Sequence, residues 1–222
     1  MGIGVNIKLF YSFLESSGSG LEIYNLVGRC SPERQNRVND AVGKHRCSEL
    51  IFSELLLRYA LMQSFDINDS DIKIIYSKKG KPSLEGYENI HFNISHSWGL
   101  VVCAIDDFAM GVDIEHLSKR RDKKNLEYCS PAEIKYINNS QSNSNAFWEI
   151  WTRKESYLKA VGIGLINDMS NICTAKGKVK GLNIISFKID EYIFSLCSKK
   201  NLLLEKLQME KVEPKTIIEY FS

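Results

Sequence analysis

The segment at residues 147–165, FWEIWTRKESYLKAVGIGL, constrains the fold of this chain more than any other stretch. Read as a helix, it places Trp151, Glu155 and Lys159 along one side, within an arc of about 80°. The apolar side chains form a neighbouring stripe, so the acid and the base lie at the edge of the buried face, where a cleft wall is expected. Gly162 and Gly164 are predicted to end the helix. For this segment alone, an amphipathic surface helix with an ordinary Glu–Lys pair is an equally good interpretation.

Lys154 breaks the apolar stripe of this predicted helix. It falls near the middle of the stripe, where an ammonium group is costly unless a partner neutralises its charge. An acid of the same chain or a bound anionic ligand could supply that partner, and the sequence leaves both open.

The composition argues against several classes of protein. The 29 basic and 27 acidic residues nearly balance, which gives no case for a general nucleic-acid or membrane binder. No apolar run approaches the roughly 18 residues of a membrane span, and the first residues lack the pattern of a signal peptide. The six cysteines show neither CxxC nor zinc spacing, which indicates reduced thiols. We therefore expect a cytoplasmic monomer without nucleic-acid or membrane partners.

Periodicity and turn signals predict a mixed α/β chain with two related lobes. Helices are expected at about 44–64 and 120–129, and after the N-cap residues Ser31 and Ser130. Strands are expected at 3–13, 72–76, 90–94, 100–105, 110–114, 171–175, 182–189, 192–197 and near 207. Strands 100–105 and 110–114 are predicted to form a hairpin, and residues 138–145 a mobile polar loop. A long helix followed by strands occurs twice, which predicts an N-terminal lobe of residues 1–105 and a C-terminal lobe of residues 106–222.

Several polar residues stand where an anion could bind. Lys44 and Arg46 lie in the first turn of the long helix, where basic side chains and exposed N–H groups favour an anion; on local evidence a solvated basic turn is the somewhat better explanation. Lys81 is held extended by Pro82 in a lysine-rich loop. Ser95 and His96 follow at a strand exit, which also suits phosphate binding.

Asp113 and Glu115 alternate with apolar residues on a predicted strand. Their Cα atoms are about 7 Å apart at a rise of about 3.3 Å per residue, so both side chains can converge on one hard cation such as Mg²⁺. The alternative is an ordinary strand that turns its polar side chains to solvent.

Four motifs together resemble the Sfp-type enzymes of the 4'-phosphopantetheinyl transferase superfamily. They are GKP at 80–82, FNISHS at 92–97, MGVDIE at 110–115 and WTRKESYLKAVGIGL at 151–165. The resemblance covers roughly residues 30–165. It implies an α/β (α+β) pseudo-dimeric fold, in which each lobe has a long helix packed on a small antiparallel sheet and coenzyme A lies between the lobes. It also implies Mg²⁺-dependent transfer of the 4'-phosphopantetheine arm to a serine of an apo acyl- or peptidyl-carrier protein, releasing 3',5'-ADP, with Mn²⁺ as a possible substitute.

The resemblance also assigns roles to individual residues. It implies metal ligands at Asp113, Glu115 and Glu155, and catalytic roles for Glu155, as serine base, and for Lys159. The implied coenzyme A contacts, with Lys154 added as a candidate for the ligand's charge, are Lys44, Arg46, Lys81, Pro82, Ser95, His96, Asp113, Lys154 and Lys159. Glu133 matches a family acid near the metal but also fits a helix capping box. Three points stay open: whether Lys44 or Arg46 binds the 3'-phosphate, whether Glu155 or a metal-bound water is the base, and which pathway is served. The alternative function is a non-catalytic coenzyme A or nucleotide-binding module.

Overall fold

The computed structural model describes residues 7–14, 19–118, 126–164 and 168–222. Within these ranges the helices are α1 Ser19–Asn25, α2 Pro32–Asn39, α3 Lys44–Ser64, α4 Pro131–Asn138, α5 Asn143–Val161 and α6 Pro214–Phe221. The strands are β1 Lys8–Phe13, β2 Ile74–Tyr76, β3 Pro82–Leu84, β4 His91–Ser97, β5 Leu100–Asp106, β6 Met110–His116, β7 Lys178–Val179, β8 Leu182–Ile189, β9 Tyr192–Ser198 and β10 Gln208–Lys211. No helix in these ranges has the length and apolar character needed to cross a membrane.

Two four-stranded sheets stack face to face between the two long helices. The first sheet has the order β10-β1-β5-β4 and the second has the order β6-β9-β8-β7. Leu9, Val102, Val112 and Phe194 belong to the apolar layer between the sheets. Helix α3 covers the outer face of the first sheet, and α5 packs on β6 and β9 of the second. The predicted mixed fold, with a long helix on a small sheet in each half, is confirmed.

The predicted hairpin of residues 100–105 and 110–114 is wrong. Strand β5 pairs with β1 on one edge and β4 on the other, so it has no free edge for β6, which pairs with β9. The turn between β5 and β6 is instead the crossover from one sheet to the other. Lys200 holds it, with its Nζ 2.6 Å from Asp106 Oδ1 and bonded also to Asp107.

The C-terminal segment returns to the N-terminal half. Strand β10 runs parallel to β1, and α6 packs against α1 and α3. A division at residue 105 remains a prediction, but residues 208–221 lie with the first sheet.

Most sequence-based boundaries agree with the structure. Helix α3 spans the predicted residues, Ser31 and Ser130 cap α2 and α4, and α5 ends at Gly162 in a left-handed conformation. Residues 171–175 form no strand, because their backbone is engaged by buried side chains described below. The predicted strand residues 3–6 and helix residues 120–125 lie outside the described ranges, and 126–128 form a short 3-10 helix. The predicted polar loop shortens to residues 139–142, because α5 begins at Asn143.

Gly111 lets α5 lie directly against β6. A Cβ atom at this position would stand 2.0 Å from the carbonyl oxygen of Ser156 and 2.5 Å from the nitrogen of Ala160, both backbone atoms of α5. Backbone atoms cannot rotate away as a side chain can, so any larger residue must separate helix from strand.

We predict that Gly111→Ala destabilises the fold by about 3 kcal/mol or more, because the clash moves a whole helix. Gly28→Ala is the matched control, since a Cβ there meets nothing within 4 Å, and its effect should stay within about 0.5 kcal/mol. Urea unfolding of both variants measures the difference. Equal stability of the two would contradict the close contact.

Candidate active site

Strands β4 and β6 are the facing edges of the two sheets, and side chains bridge them. Asn93 Oδ1 accepts a hydrogen bond from the N–H of Val112 at 2.9 Å. Ser95 Oγ donates to Asp113 Oδ1 at 2.9 Å, and Ser97 Oγ donates to Glu115 Oε2 at 2.8 Å. Polar side chains at every second position of β4 therefore reach β6, one to its backbone and two to its carboxylates.

This bridge buries the two carboxylates that the solvent-facing alternative would leave exposed. Asp113 is 6 % exposed and Glu115 is 5 % exposed. Their face of β6 is covered by α5, and the neighbouring edge is covered by β4. The reading of this strand as an ordinary half-solvated strand is therefore wrong.

Lys159 neutralises Asp113. Its Nζ lies 2.7 Å from Asp113 Oδ1 and also donates to Ser95 Oγ at 3.0 Å and to the carbonyl of Val112 at 3.1 Å. The lysine thus reaches from α5 into the bridge rather than forming a simple surface pair along its own helix.

Glu155 lies one turn before Lys159 and faces two other acids. Burial raises its pKa to about 7, with further contributions from the negative charges of Asp113 and Glu115, while Lys159 acts in the opposite direction. A carboxyl group that titrates near neutral pH is suited to accept a proton in catalysis.

His96 and Arg46 meet beside the same cleft. Arg46 Nη1 lies 3.0 and 2.9 Å from the two ring nitrogens of His96, and His96 Nδ1 lies 3.2 Å from Glu49 Oε2. Burial lowers the pKa of His96, and the positive charges of Arg46 and Lys159 add to this, although Glu49 opposes it.

Lys81 connects the two halves of the cleft. Its Nζ donates to the carbonyl of Ala160 at 2.7 Å, and its side chain lies over Gly162, where a Cβ would come within 2.8 Å of Lys81 Cδ. Burial lowers the pKa of Lys81. The GKP loop therefore packs on the end of α5.

These groups line one open cavity of about 810 Å³ between the halves, within the range of about 300–1,000 Å³ for small-molecule sites. The predicted site residues on its wall are Arg46, Lys81, Pro82, Ser95, His96, Asp113, Glu115, Glu155 and Lys159. Three further cations on the wall, Arg34, Arg37 and Lys79, were not predicted from the sequence. For Arg34 and Arg37 the available signal was their spacing in SPERQNR, one turn apart on α2.

Lys154 is not part of this wall, and its assignment to the coenzyme A site is wrong. It is 1 % exposed, and its Nζ lies 2.8 Å from Glu133 Oε2 and donates to the carbonyls of Met169 and Ile172. Of the two partners that the sequence left open, the acid of the same chain is the one present. Lys44 is exposed at the start of α3, and it is not among the described residues that line the cavity.

Glu133 is occupied by structural contacts. One oxygen accepts from the N–H of Ser130 at 2.8 Å, as the capping box requires, and the other accepts from the N–H and hydroxyl of Thr174 at 2.7 and 2.8 Å. With Lys154 as its ionic partner, Glu133 holds residues 169–174 in place. It is not among the described residues that line the cavity. This is also why residues 171–175 form no strand.

The carboxylates of the cleft fit a hard divalent cation by their chemistry. No three His, Cys, Asp or Glu side chains in the described ranges already stand at metal-binding geometry, and Lys159 occupies Asp113 Oδ1. Yet Asp113 Oδ2 is buried without a hydrogen-bond partner in these ranges, and three acids crowd together. A cation would satisfy that oxygen and relieve the repulsion, and Mg²⁺ prefers such oxygen ligands.

Comparison with known proteins assigns this chain to a family. The model of the 4'-phosphopantetheinyl transferase superfamily matches residues 109–205, and that of the 4'-phosphopantetheinyl transferase N-terminal region matches residues 21–107. The 4'-phosphopantetheinyl transferase gsp of Aneurinibacillus migulanus is 31 % identical over 204 residues, which is 84 % of this chain and 85 % of that protein. The 4'-phosphopantetheinyl transferase Sfp of Bacillus subtilis (strain 168) is 26 % identical over 161 residues, 72 % of each chain.

A mammalian relative extends the similarity. The L-aminoadipate-semialdehyde dehydrogenase-phosphopantetheinyl transferase of Mus musculus is 28 % identical over 162 residues, 64 % of this chain and 51 % of that protein. The chain belongs to the 4'-phosphopantetheinyl transferase superfamily. The predicted Sfp-type resemblance is confirmed, and the protein is a transferase that uses coenzyme A.

The raised pKa of Glu155 predicts a pH-dependent effect of Glu155→Gln on stability. The folded protein holds this proton up to about pH 7, against 4.5 for the ordinary side chain, so its contribution to stability falls as the pH rises through that window. In EDTA, the free energy of unfolding of Glu155→Gln relative to that of wild type should rise by on the order of 1–3 kcal/mol between pH 5 and pH 8. Thermal unfolding at both pH values measures it, with the exposed Glu88→Gln as control. A gain that is the same at both pH values would rule out the raised pKa.

Proposed function

We propose that this cleft binds coenzyme A and transfers its 4'-phosphopantetheine arm to a serine of an apo acyl- or peptidyl-carrier protein, releasing 3',5'-ADP. The observation that carries the proposal is the division of one cavity into a cationic wall and an acidic end. The cations suit a polyanion, and the acids suit a cation that accompanies a pyrophosphate. The residues of the cationic wall are Arg34, Arg37, Arg46, Lys79 and Lys81, while Lys159 lies at the acidic end against Asp113.

The reaction centre is proposed to be the acidic end. Mg²⁺, with Mn²⁺ as a possible substitute, would be held by Asp113, Glu115 and Glu155, and when bound it supplies Lewis-acid polarisation of the pyrophosphate. Lys159 and His96 line the same end and would neutralise charge that builds up on the departing 3',5'-ADP. Lys159 already lies between Asp113 and Ser95, so it needs only a small movement to share its protons with a phosphate.

Glu155 is proposed as the base. The serine oxygen attacks the phosphorus next to the pantetheine, the bond from that phosphorus to the ADP oxygen breaks, and the serine proton passes to Glu155. The pKa of about 7 belongs to the metal-free cleft. A bound cation would lower it, so the carboxylate would be ionised at neutral pH and able to accept this proton. If a metal-bound water were the base instead, Glu155 would serve only as a metal ligand.

We expect Glu155→Gln to lower kcat at least a hundredfold, in line with the 10²–10⁴-fold typical of a general base, because the amide accepts neither the metal charge nor the proton. Removal of divalent ions with EDTA should abolish turnover, and Mg²⁺ should restore it. Mass spectrometry of the carrier, which gains one phosphopantetheine, follows the reaction. A near-normal rate for Glu155→Gln in a folded protein would remove it from the site.

The 3'-phosphate of coenzyme A is remote from the bond that breaks, and we place it at Arg34 and Arg37 on α2. Arg34 Nε is buried without a hydrogen bond in the described ranges, at 3.5 Å from Glu54. Arg37 is exposed, with its guanidinium 4.7 Å from the ring centre of Tyr76. Arg37 therefore has donors available for a ligand, and Arg34 adds a second positive charge to the same part of the wall.

Arg37→Ala should weaken coenzyme A binding by about 1.5–3 kcal/mol, or roughly tenfold to a hundredfold, and leave dephospho-coenzyme A binding unchanged. The control is Lys78→Ala, because Lys78 neighbours Lys79 but is not among the described residues that line the cavity. It should change the affinity for neither ligand. Calorimetry with both ligands measures this selectivity. Equal losses for the two ligands would place the 3'-phosphate elsewhere, with Arg46 as the next candidate.

Mass spectrometry of the carrier also tests the alternative function, a non-catalytic coenzyme A-binding module, which the named relatives do not favour. Binding without mass gain on any carrier would support the module. A monomeric state and a cytoplasmic location remain proposals from the sequence. A panel of fatty-acid, polyketide and peptide carriers identifies the pathway served.

A further inference from the structure

Glu49 is a buried acid directly behind the cavity wall that no motif of the sequence predicts. It is 5 % exposed, on α3. Its Oε1 accepts the N–H of Gly99 at 2.8 Å, and its Oε2 lies 3.2 Å from His96 Nδ1. Glu49 is behind the wall, but His96 and Arg46 are part of it. The acid therefore acts on the cavity through His96.

The hydrogen bonds around His96 select one tautomer. A carboxylate can only accept, so Nδ1 carries a proton toward Glu49. Arg46 Nη1 lies 3.0 Å from Nδ1 and 2.9 Å from Nε2, so it does not distinguish the two nitrogens by distance. Because Nδ1 keeps its proton for Glu49, Nε2 is the nitrogen left to accept from the guanidinium, which can only donate. Without ligand, His96 is a neutral imidazole with a lone pair on Nε2.

The charges around His96 keep this ring neutral until an anion arrives. Arg46 approaches from α3 and Lys159 from α5, against the single negative charge of Glu49. Burial lowers the pKa of His96 further. A phosphate in the cavity would reverse the balance, because it adds negative charge on the open side of the ring.

A neutral His96 of this tautomer cannot bind a phosphate as it stands. Its Nε2 lone pair and a phosphate oxygen are both acceptors, so they repel each other. One proton from solvent on Nε2 makes an imidazolium that donates to the phosphate on one side and to Glu49 on the other.

We propose that Glu49 is the positioning residue that fixes the tautomer of His96 and causes His96 to take up one proton when coenzyme A binds. The inference rests on the proposed function, in that it places a coenzyme A phosphate at His96. The proton comes from solvent and forms an N–H bond at Nε2, and no bond between heavy atoms changes. The binding step therefore primes His96 as a donor for the charge that develops on ADP.

Glu49→Gln separates this role from a merely structural one. Its amide oxygen can still accept from Gly99, which preserves the turn after β4. Its amide nitrogen donates to Nδ1, which moves the ring proton to Nε2. The neutral ring then donates to phosphate without any proton uptake.

The experiment is calorimetry of coenzyme A binding at pH 7.5 in two buffers of different ionisation enthalpy. Wild type should take up as much as about one more proton per coenzyme A than Glu49→Gln, and the ionisation of the ligand itself cancels in the difference. Wild-type affinity should also fall more steeply between pH 6.5 and 8.5. His45→Ala is the control, since His45 Nδ1 lies 3.6 Å from Glu49 Oε1 and its ring is off the cavity wall as described. It should match wild type.

Equal proton uptake by wild type and Glu49→Gln would overturn the proposal. Should Glu49→Gln not fold, His96→Gln decides, because its amide takes up no proton: retained uptake overturns the proposal, and lost uptake supports it. Unchanged coenzyme A affinity in His96→Gln, together with normal proton uptake, would overturn the phosphate placement. Transfer activity with a carrier would survive that result, so the proposed function would stand without the inference.

Discussion

The side-chain bridge between β4 and β6 is the constraint on which the rest of the structure depends. These two strands are the edges of different sheets, and three β4 side chains reach across to β6 in place of a backbone ladder between them. The same hydroxyls that join the two halves also fix the rotamers of the acids in the cleft. Stability and chemistry thus share one set of hydrogen bonds, and a change in the bridge affects both.

Helix α5 completes the site because it is held at two places with little freedom. Gly111 lets its backbone touch β6, and the buried pair of Lys154 and Glu133 ties it to residues 169–174. A buried ion pair adds little net stability, but the loss of one partner is severe, which makes it a positional lock. Lys159 and Glu155 then project from a fixed helix toward Asp113 and Glu115, where a shift of about 1 Å would disrupt the arrangement.

The sequence predicted the fold where local signals and tertiary packing agree. Helix α3 has strong helix formers along its length, and Ser130 and Glu133 form a capping box that needs no distant partner. The predicted hairpin failed because a short polar turn between two apolar strands is the usual hairpin signal. Nothing local reveals that both edges of β5 are taken by β1 and β4. Likewise, Arg34 and Arg37 reach the cleft only because α2 packs on α3.

The sequence alone determined which residues are the candidates for the chemistry: strand and helix periods place Asp113 with Glu115 and Glu155 with Lys159, and the family motifs single them out. The tertiary structure decided what each of them contacts. It paired Lys159 with Asp113, buried Lys154 against Glu133, and put Glu49 behind His96. The physical reason is that charge pairing depends on distances of a few ångströms between distant segments. Those distances are set by how sheets and helices stack, and no local pattern encodes them.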